Sequence, residues 1–263
     1  MSNFQQEKEK NKYLIPNVAR TLKILEFLAN DENKASIAQI SSHFDLPKNS
    51  VFRIIKTLEH YGYIEEADRK YKTTPRLLYL GYSSMRNVGL IENSLDIMHL
   101  LRDEVNETVM LGTLLGKQIV IIDQLPSFHN IKFTAEIGKR VTVHASAPGK
   151  SILAYLPEPE KLALLNQIQF TRYTDHTIPS KSEMIEEIKS VREKGYAIDD
   201  GEETPECHCI GSPILDHRGF PIASVWTVGP SFRLVPELYD KIGPVVKEFA
   251  LRISRRFGYD PVT

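Results

Sequence analysis

Only two cysteines occur in this chain of 263 residues, Cys207 and Cys209. They stand too close together for an ordinary loop-closing disulfide, and a reducing compartment suits them. No apolar run approaches the roughly 20 residues needed to span a bilayer. Met1 to Lys12 is polar and charged, without the apolar core of a signal peptide. The expected location is therefore the cytoplasm, with no membrane contact. Net charge is almost absent, at −1, so the total gives no hint of a nucleic-acid partner. Internal repeats, low-complexity segments and a nucleophile elbow are all missing. The only arrangement with metal-ligating character is Cys207-His208-Cys209 with His217 nearby. Successive strand residues point to opposite faces, so His208 is expected to turn away from the two thiols. Neither a metal nor a cofactor is expected, no catalytic residue is assigned, and the chain is not expected to be an enzyme.

What is present begins with an uneven distribution of charge. Residues 1–76 carry 13 Lys and Arg against 10 Asp and Glu, and the remainder carries 20 against 24. A basic front joined to an acidic back fits a DNA-binding module attached to a regulatory one.

The front segment has the pattern to match. Ser36 suits an N-cap, because its hydroxyl can accept an orphan amide proton at a helix start. Ile37, Ile40 and Phe44 recur at helical spacing. Asp45-Leu46-Pro47 makes a tight turn, and Pro47 suits the start of the next helix. From Lys48 to Tyr61 a second apolar stripe runs through Val51, Ile54, Ile55 and Leu58, and Gly62 closes it. Its other face carries Lys48, Asn49, Ser50, Arg53, Lys56 and Thr57, the amides, hydroxyls and cations that read base edges and grip phosphates. A preceding helix from Val18 to Leu28 offers Leu22, Ile24, Leu25 and Leu28 to a three-helix core. Tyr63 to Thr73 reads as a hairpin, with Arg69, Lys70 and Lys72 at or beside its tip. Three helices and a basic hairpin make a winged helix-turn-helix. Two amphipathic helices in any helical domain would share part of this periodicity.

Several ordered motifs resemble one family. Ala19-Arg20-Thr21-Leu22-Lys23-Ile24-Leu25 and Leu46-Pro47-Lys48-Asn49-Ser50-Val51-Phe52-Arg53-Ile54-Ile55 resemble the N-terminal domain of IclR-family transcriptional regulators. His144-Ala145-Ser146-Ala147-Pro148-Gly149-Lys150, Lys194 to Glu203, Cys209-Ile210-Gly211-Ser212-Pro213, Asp216-His217-Arg218-Gly219 and Val228-Gly229-Pro230 continue the likeness to the C-terminus. The resemblance implies an α+β protein: a flexible arm at 1–16, a winged helix-turn-helix over 17–76, a linker helix over 77–93 and a GAF-like effector domain with an antiparallel sheet over 94–263. It implies a double-stranded DNA partner with a palindromic operator, contacted by Lys48, Asn49, Ser50, Phe52, Arg53, Lys56, Arg69 and Lys70. A single winged domain reads few base pairs, so a homodimer through Leu77 to Leu90 is expected, with a homotetramer open.

In the back segment, Ile91 to Val105 reads as an amphipathic helix. Thr108–Leu115 and Ile119–Leu125 read as strands joined at Gly116-Lys117. Helices follow at 149–155, 160–167 and 181–194, strands at 207–214 and 222–228, and a final helix over 236–257. Asp199, Asp200, Glu202 and Glu203 crowd one expected loop. They are either a solvated acidic turn or an acid–base pair, and the resemblance adds a third role. It implies a small organic acid held by the loop at Ala147 and Pro148, by Asp199 and by Cys209, and Ala147-Pro148-Gly149 leads into a helix whose N-terminal amides are expected to accept its carboxylate. Trp226 and Val228 stand where members that bind small hydroxy or keto acids often carry serine, which favours a less polar ligand. Trp226 is equally readable as ordinary core, and Glu206 replaces a usual glycine. Two functions stay open: a ligand-responsive DNA-binding regulator, and an enzyme over residues 94–263 with a DNA-binding tether.

Overall fold

In the computed structural model, which describes residues 14–29, 34–77, 79–80 and 89–260, the chain divides into two units, Met1–Val88 and Gly89–Thr263. Residues 1–13 of the arm expected at 1–16, and most of the linker helix and dimer contact expected near Leu77 to Leu90, fall outside the described residues.

The first unit holds α1 (Pro16–Leu28), α2 (Ile37–Phe44), α3 (Lys48–His60) and a hairpin of β1 (Ile64–Ala67) and β2 (Lys70–Thr73). Local chemistry sets each boundary. The Ser36 hydroxyl accepts the Gln39 N–H, and the Gln39 side chain accepts the Ser36 N–H at 2.9 Å, a reciprocal cap. Asp45 leaves α2 in the left-handed region, and Leu46 N–H returns to Ser41 O at 3.0 Å. Gly62, at φ 71, ends α3. Asp68 and Arg69 both take positive φ, as a two-residue hairpin turn requires. The core gathers Ile24, Leu28, Ile40, Val51, Ile54, Ile55, Leu58, Ile64 and Tyr71. Leu22 does not join it: α1 turns that side outward, and the residue is 54% exposed.

The second unit begins with α4 (Leu95–Val105), shorter than expected because residues 89–94 form hydrogen-bonded turns first. Here Ile97, Met98 and Leu101 face the core, while Leu95 is exposed. Six antiparallel strands follow: β3 (Thr108–Leu115), β4 (Gln118–Leu125), β5 (Arg140–Thr142), β6 (Ala197–Asp200), β7 (Cys207–Leu215) and β8 (Pro221–Pro230). Their order is β5-β4-β3-β8-β7-β6. Between β5 and β6 run α5 (Ala147–Tyr155), α6 (Glu158–Leu165) and α7 (Lys181–Lys194), and the chain closes through a 3-10 turn (Pro236–Leu238) into α8 (Tyr239–Arg256). Strand alternation separates two cores. Met110, Cys209, Trp226 and Val228 face α5 and α7, whereas Val109, Leu111, Ile210 and Val225 face α4 and α8. β5 and β6 were not foreseen, because each is very short and sits at a sheet edge.

Gly149 has a packing role in this fold. A Cβ there would lie 2.2 Å from Val143 O and 2.5 Å from Val143 Cα, which are backbone atoms with little freedom to move. Gly149→Ala should therefore lower stability by about 1–3 kcal/mol, the usual cost of overpacking a core. Chemical denaturation checks this, and a variant as stable as wild type would remove the close approach from the account.

Candidate functional site

On α3, burying Val51, Ile54, Ile55 and Leu58 leaves the opposite side to Lys48, Asn49, Phe52, Arg53, Lys56 and Thr57, all exposed; Ser50 is half-buried. Phe52 keeps 47% of its surface in water and takes no part in the core. Arg69 projects from the hairpin turn, and Lys70 is exposed at the start of β2. Not every cation here is unengaged. Lys56 donates to Glu59 at 2.7 Å on its own helix, and Lys72 pairs with Glu65 at 2.8 Å across the hairpin.

The second unit contains a cavity of about 210 Å³ beside the α5 face of the sheet. Pro148, Asp199, Cys209, Trp226 and Val228 line it, so five of the seven residues expected of a ligand site converge. Register explains this: Cys209 pairs with Asp199 on one side and with Val228 on the other, and Trp226 pairs with Met110. Trp226 is both core and lining. Ala147 and Gly149 do not reach the cavity. Ala147 and Pro148 belong to the first turn of α5 rather than to a loop. Pro148 has no N–H, and the Ser146 hydroxyl takes that of Gly149 at 3.3 Å, which leaves the Ala147 amide. Sequence reasoning missed Met110, Ile121 and Phe133 in the apolar wall, and Lys139 and Arg140 as its cations. The short edge strand that carries Arg140 leaves no periodic signal.

Asp199 lies on β6 and is buried, so the solvated-turn reading does not hold for it. Its Oδ1 accepts the N–H groups of Gly201 at 3.2 Å and Glu202 at 2.8 Å. Burial raises its pKa to about 6, against the pull of those amides and of Lys150. Glu202 is buried too, accepting a hydrogen bond from the fully enclosed Lys150, which also pairs with Glu187 at 3.1 Å. Burial alone would lower the Lys150 pKa, but the Glu202 and Glu187 carboxylates outweigh it and raise it. Burial raises that of Glu202, and the excess of carboxylates around a single ammonium reinforces the shift. Lys150 belongs to the His144 to Lys150 motif, and nothing local marks it as buried.

The cysteine-histidine candidates do not converge. The Cys207 and Cys209 sulfurs face the cavity, while His208 lies across the sheet, bonded to Leu234 O and the Tyr239 hydroxyl. His217 follows the far end of β7, roughly 25 Å along a strand of this length. Among the described residues no three His, Cys, Asp or Glu side chains come together as metal ligands, and no helix is long and apolar enough to cross a membrane.

Residues 17–68 match the IclR helix-turn-helix domain, and residues 82–255 match the family described as bacterial transcriptional regulator IclR C-terminal. The chain belongs to the IclR family. It is similar to the HTH-type transcriptional regulator KdgR of Dickeya chrysanthemi, 31% identical over 93% of this chain and 81% of that one. It is similar to the crystal structure of the Thermotoga maritima IclR, with a TM-score of 0.68, 28% identity, and 93% and 99% of the two chains covered. An IclR homologue from Microbacterium hydrocarbonoxydans, solved in complex with 4-hydroxybenzoate, shares the fold at a TM-score of 0.77 and 21% identity, over 92% and 98% of the chains. As an IclR-family member the chain is a transcriptional regulator with a DNA-binding helix-turn-helix, and the relatives it matches are regulators rather than enzymes.

The buried charges of this IclR regulator make a pH-dependent prediction. Lys150→Met should lower stability by about 3–5 kcal/mol at about pH 8, because it leaves buried carboxylates without their counter-ion. The loss should shrink as the pH falls through about 8 and then about 6, where Glu202 and Asp199 in turn take up protons. Asp199 and Glu202 have folded-state values above their unfolded ones, so in that window the folded chain binds more protons, and stability rises as the pH drops. Urea titrations at about pH 8 and about pH 5 test it; equal losses at both would contradict the assignment.

Proposed function

We propose that this regulator's affinity for its operator is controlled by a small organic acid bound in the cavity of the second unit. The observation that carries the reading is the meeting of Asp199, Cys209, Trp226, Val228 and Pro148 on one cavity wall that also holds the cations Lys139 and Arg140. A ligand pocket of this family of shapes is mostly apolar, with a few polar groups fixing orientation. In this reading Arg140 meets the carboxylate, since a guanidinium matches it in a two-pronged geometry. The Ala147 amide is too solitary for that task. The ligand's body lies against Trp226 and Val228, and a hydroxyl or carbonyl meets Asp199 or Cys209. The 4-hydroxybenzoate complex of the Microbacterium hydrocarbonoxydans relative fits an acid with an apolar body and a polar far end.

On DNA, Arg53 reads a guanine or grips phosphate, with Lys48, Asn49, Ser50 and Phe52 meeting bases near the start of α3, while Arg69 and Lys70 hold backbone from the wing. Lys56 must first release Glu59 to help, so it adds less than Arg53. Two copies bind a palindromic site, and the ligand acts by favouring one arrangement of the heads over another. A chain mass of 30.0 kDa in solution at micromolar concentration, without any dimer, would count against this pairing.

Two sets of variants test the reading. Arg53→Ala should weaken operator binding by about 1–3 kcal/mol. Lys70→Ala should weaken all sequences alike and reduce the salt slope by about one. Gel shifts over a salt series separate the two, and an Arg53→Ala protein that binds as wild type does would overturn the recognition-face assignment.

The ligand half is read from Trp226, the sole tryptophan. Aromatic and aliphatic carboxylic acids are titrated against its fluorescence. Arg140→Ala and Asp199→Ala should each weaken the response at least tenfold, about 1.4 kcal/mol, while operator binding persists. Trp226→Ser, which removes the fluorophore and is followed by titration calorimetry, should shift preference towards smaller, more polar acids. If no acid changes the fluorescence, the cavity is not an acid site, and turnover of any acid would revive the enzyme reading.

A further inference from the structure

The acid reading uses one cysteine and leaves its neighbour unexplained. Cys207 and Cys209 are positions i and i+2 on β7, so both sulfurs leave the same face of the sheet. They lie 4.0 Å apart, one thiol hydrogen-bonded to the other, and both line the cavity. Cys209 is buried and Cys207 half-buried.

Three chemistries suit a thiol pair, and the surroundings discriminate among them. A disulfide within one strand needs the backbone to pucker, but β8 holds β7 at both cysteines, with Cys207 opposite Pro230 and Cys209 opposite Val228, and β6 holds it again at Cys209, opposite Asp199. Zinc wants four ligands, and among the described residues no third one converges. A monovalent soft cation between two thiolates would leave a net negative charge buried next to the Asp199 carboxylate, which is costly. A trivalent arsenic atom bearing one organic group escapes all three objections. It takes two sulfurs, its third bond is already to carbon, and the product is neutral.

We propose that Cys207 and Cys209 form a dithiol site for a trivalent organoarsenical whose organic group lies in the cavity against Met110, Ile121, Trp226 and Val228. The site shares this cavity and Cys209 with the organic-acid reading but does not require that an acid bind there. In the reaction an aryl arsenic oxide loses its oxygen. Two As–S bonds form, two S–H bonds break, and both protons leave with the oxygen as one water. Arsenic stays trivalent, and nothing is oxidised or reduced. Hydrogen bonding to Cys207 and burial push the Cys209 thiol well above its ordinary value, so the thiol carries the proton that the departing oxygen takes. Space suffices: an apolar cavity of about 150 Å³ holds a benzene ring, and this one has about 210 Å³.

Phenylarsine oxide titrated into the full-length chain should change Trp226 fluorescence with an end point at one equivalent. 2,3-Dimercaptopropanol should reverse the change, while glutathione at the same thiol concentration should not. Cys207→Ser and Cys209→Ser should each weaken binding by about 10²–10⁴, the loss expected when a second attachment is removed. Thermal melts establish that the variants are folded, and mass spectrometry of the wild-type adduct locates the bridge independently of them. A serine variant that titrates like wild type, an adduct on one sulfur only, or release by glutathione would each overturn the proposal.

Discussion

Lys150 stands near the start of α5 with its ammonium enclosed between Glu202, from the segment after β6, and Glu187, from α7. An ion removed from water in this way needs its partners, because an uncompensated buried charge is far more expensive than the pair. The pairing therefore ties the helix above the sheet to its neighbouring helix and to the turn at the end of β6. That turn has no other regular structure. Thr174 and Thr177 donate to its carbonyls, and its amides at Gly201 and Glu202 point to Asp199. Asp199 is thereby held against the cavity in one orientation, with Oδ1 already occupied.

Strand alternation supplies the other half of the cavity. Each strand of the central sheet serves two cores, and the residues on the α5 side fall into register without any local instruction to do so. Met110, Trp226, Cys209 and Val228 come from three strands and meet because β3, β8 and β7 are neighbours. Gly211 lets α5 settle onto this surface: a Cβ there would lie 3.2 Å from Ala147 C. Close packing of helix on sheet and room for a ligand beside it are thus two consequences of the same layer. The same alternation sends His208 to the far side, where it joins Tyr239 and α8.

The DNA-binding unit is built differently. Its caps, turns and apolar stripes are satisfied within a few residues, and its core is made by three short helices and a hairpin. The charges that remain on its surface are then divided between pairs internal to the unit, such as Lys56 with Glu59, and cations such as Lys48 and Arg53, which have no such pairing among the described residues. Counting basic residues would overstate what this face offers to phosphate.

This contrast separates what was legible in the chain from what was not. The first unit, the α7 helix over Lys181–Lys194, the β3–β4 hairpin and the Asp216 to Gly219 turn could be read directly, since capping, 3.6-residue and two-residue periods and turn chemistry act over short spans. Asp199, Cys209, Trp226, Val228 and Pro148 were found as candidates through resemblance, not through any local period. Tertiary structure alone decided that Asp199 and Glu202 are buried, that Lys150 is sealed in, and that Arg140 on an edge strand reaches the same cavity. Those outcomes depend on partners distant in sequence, such as Lys150 and Glu202, which are 52 positions apart. An acidic run reads alike whether water or a buried ammonium neutralises it, and only the packing of α5 and α7 over the sheet chooses between them.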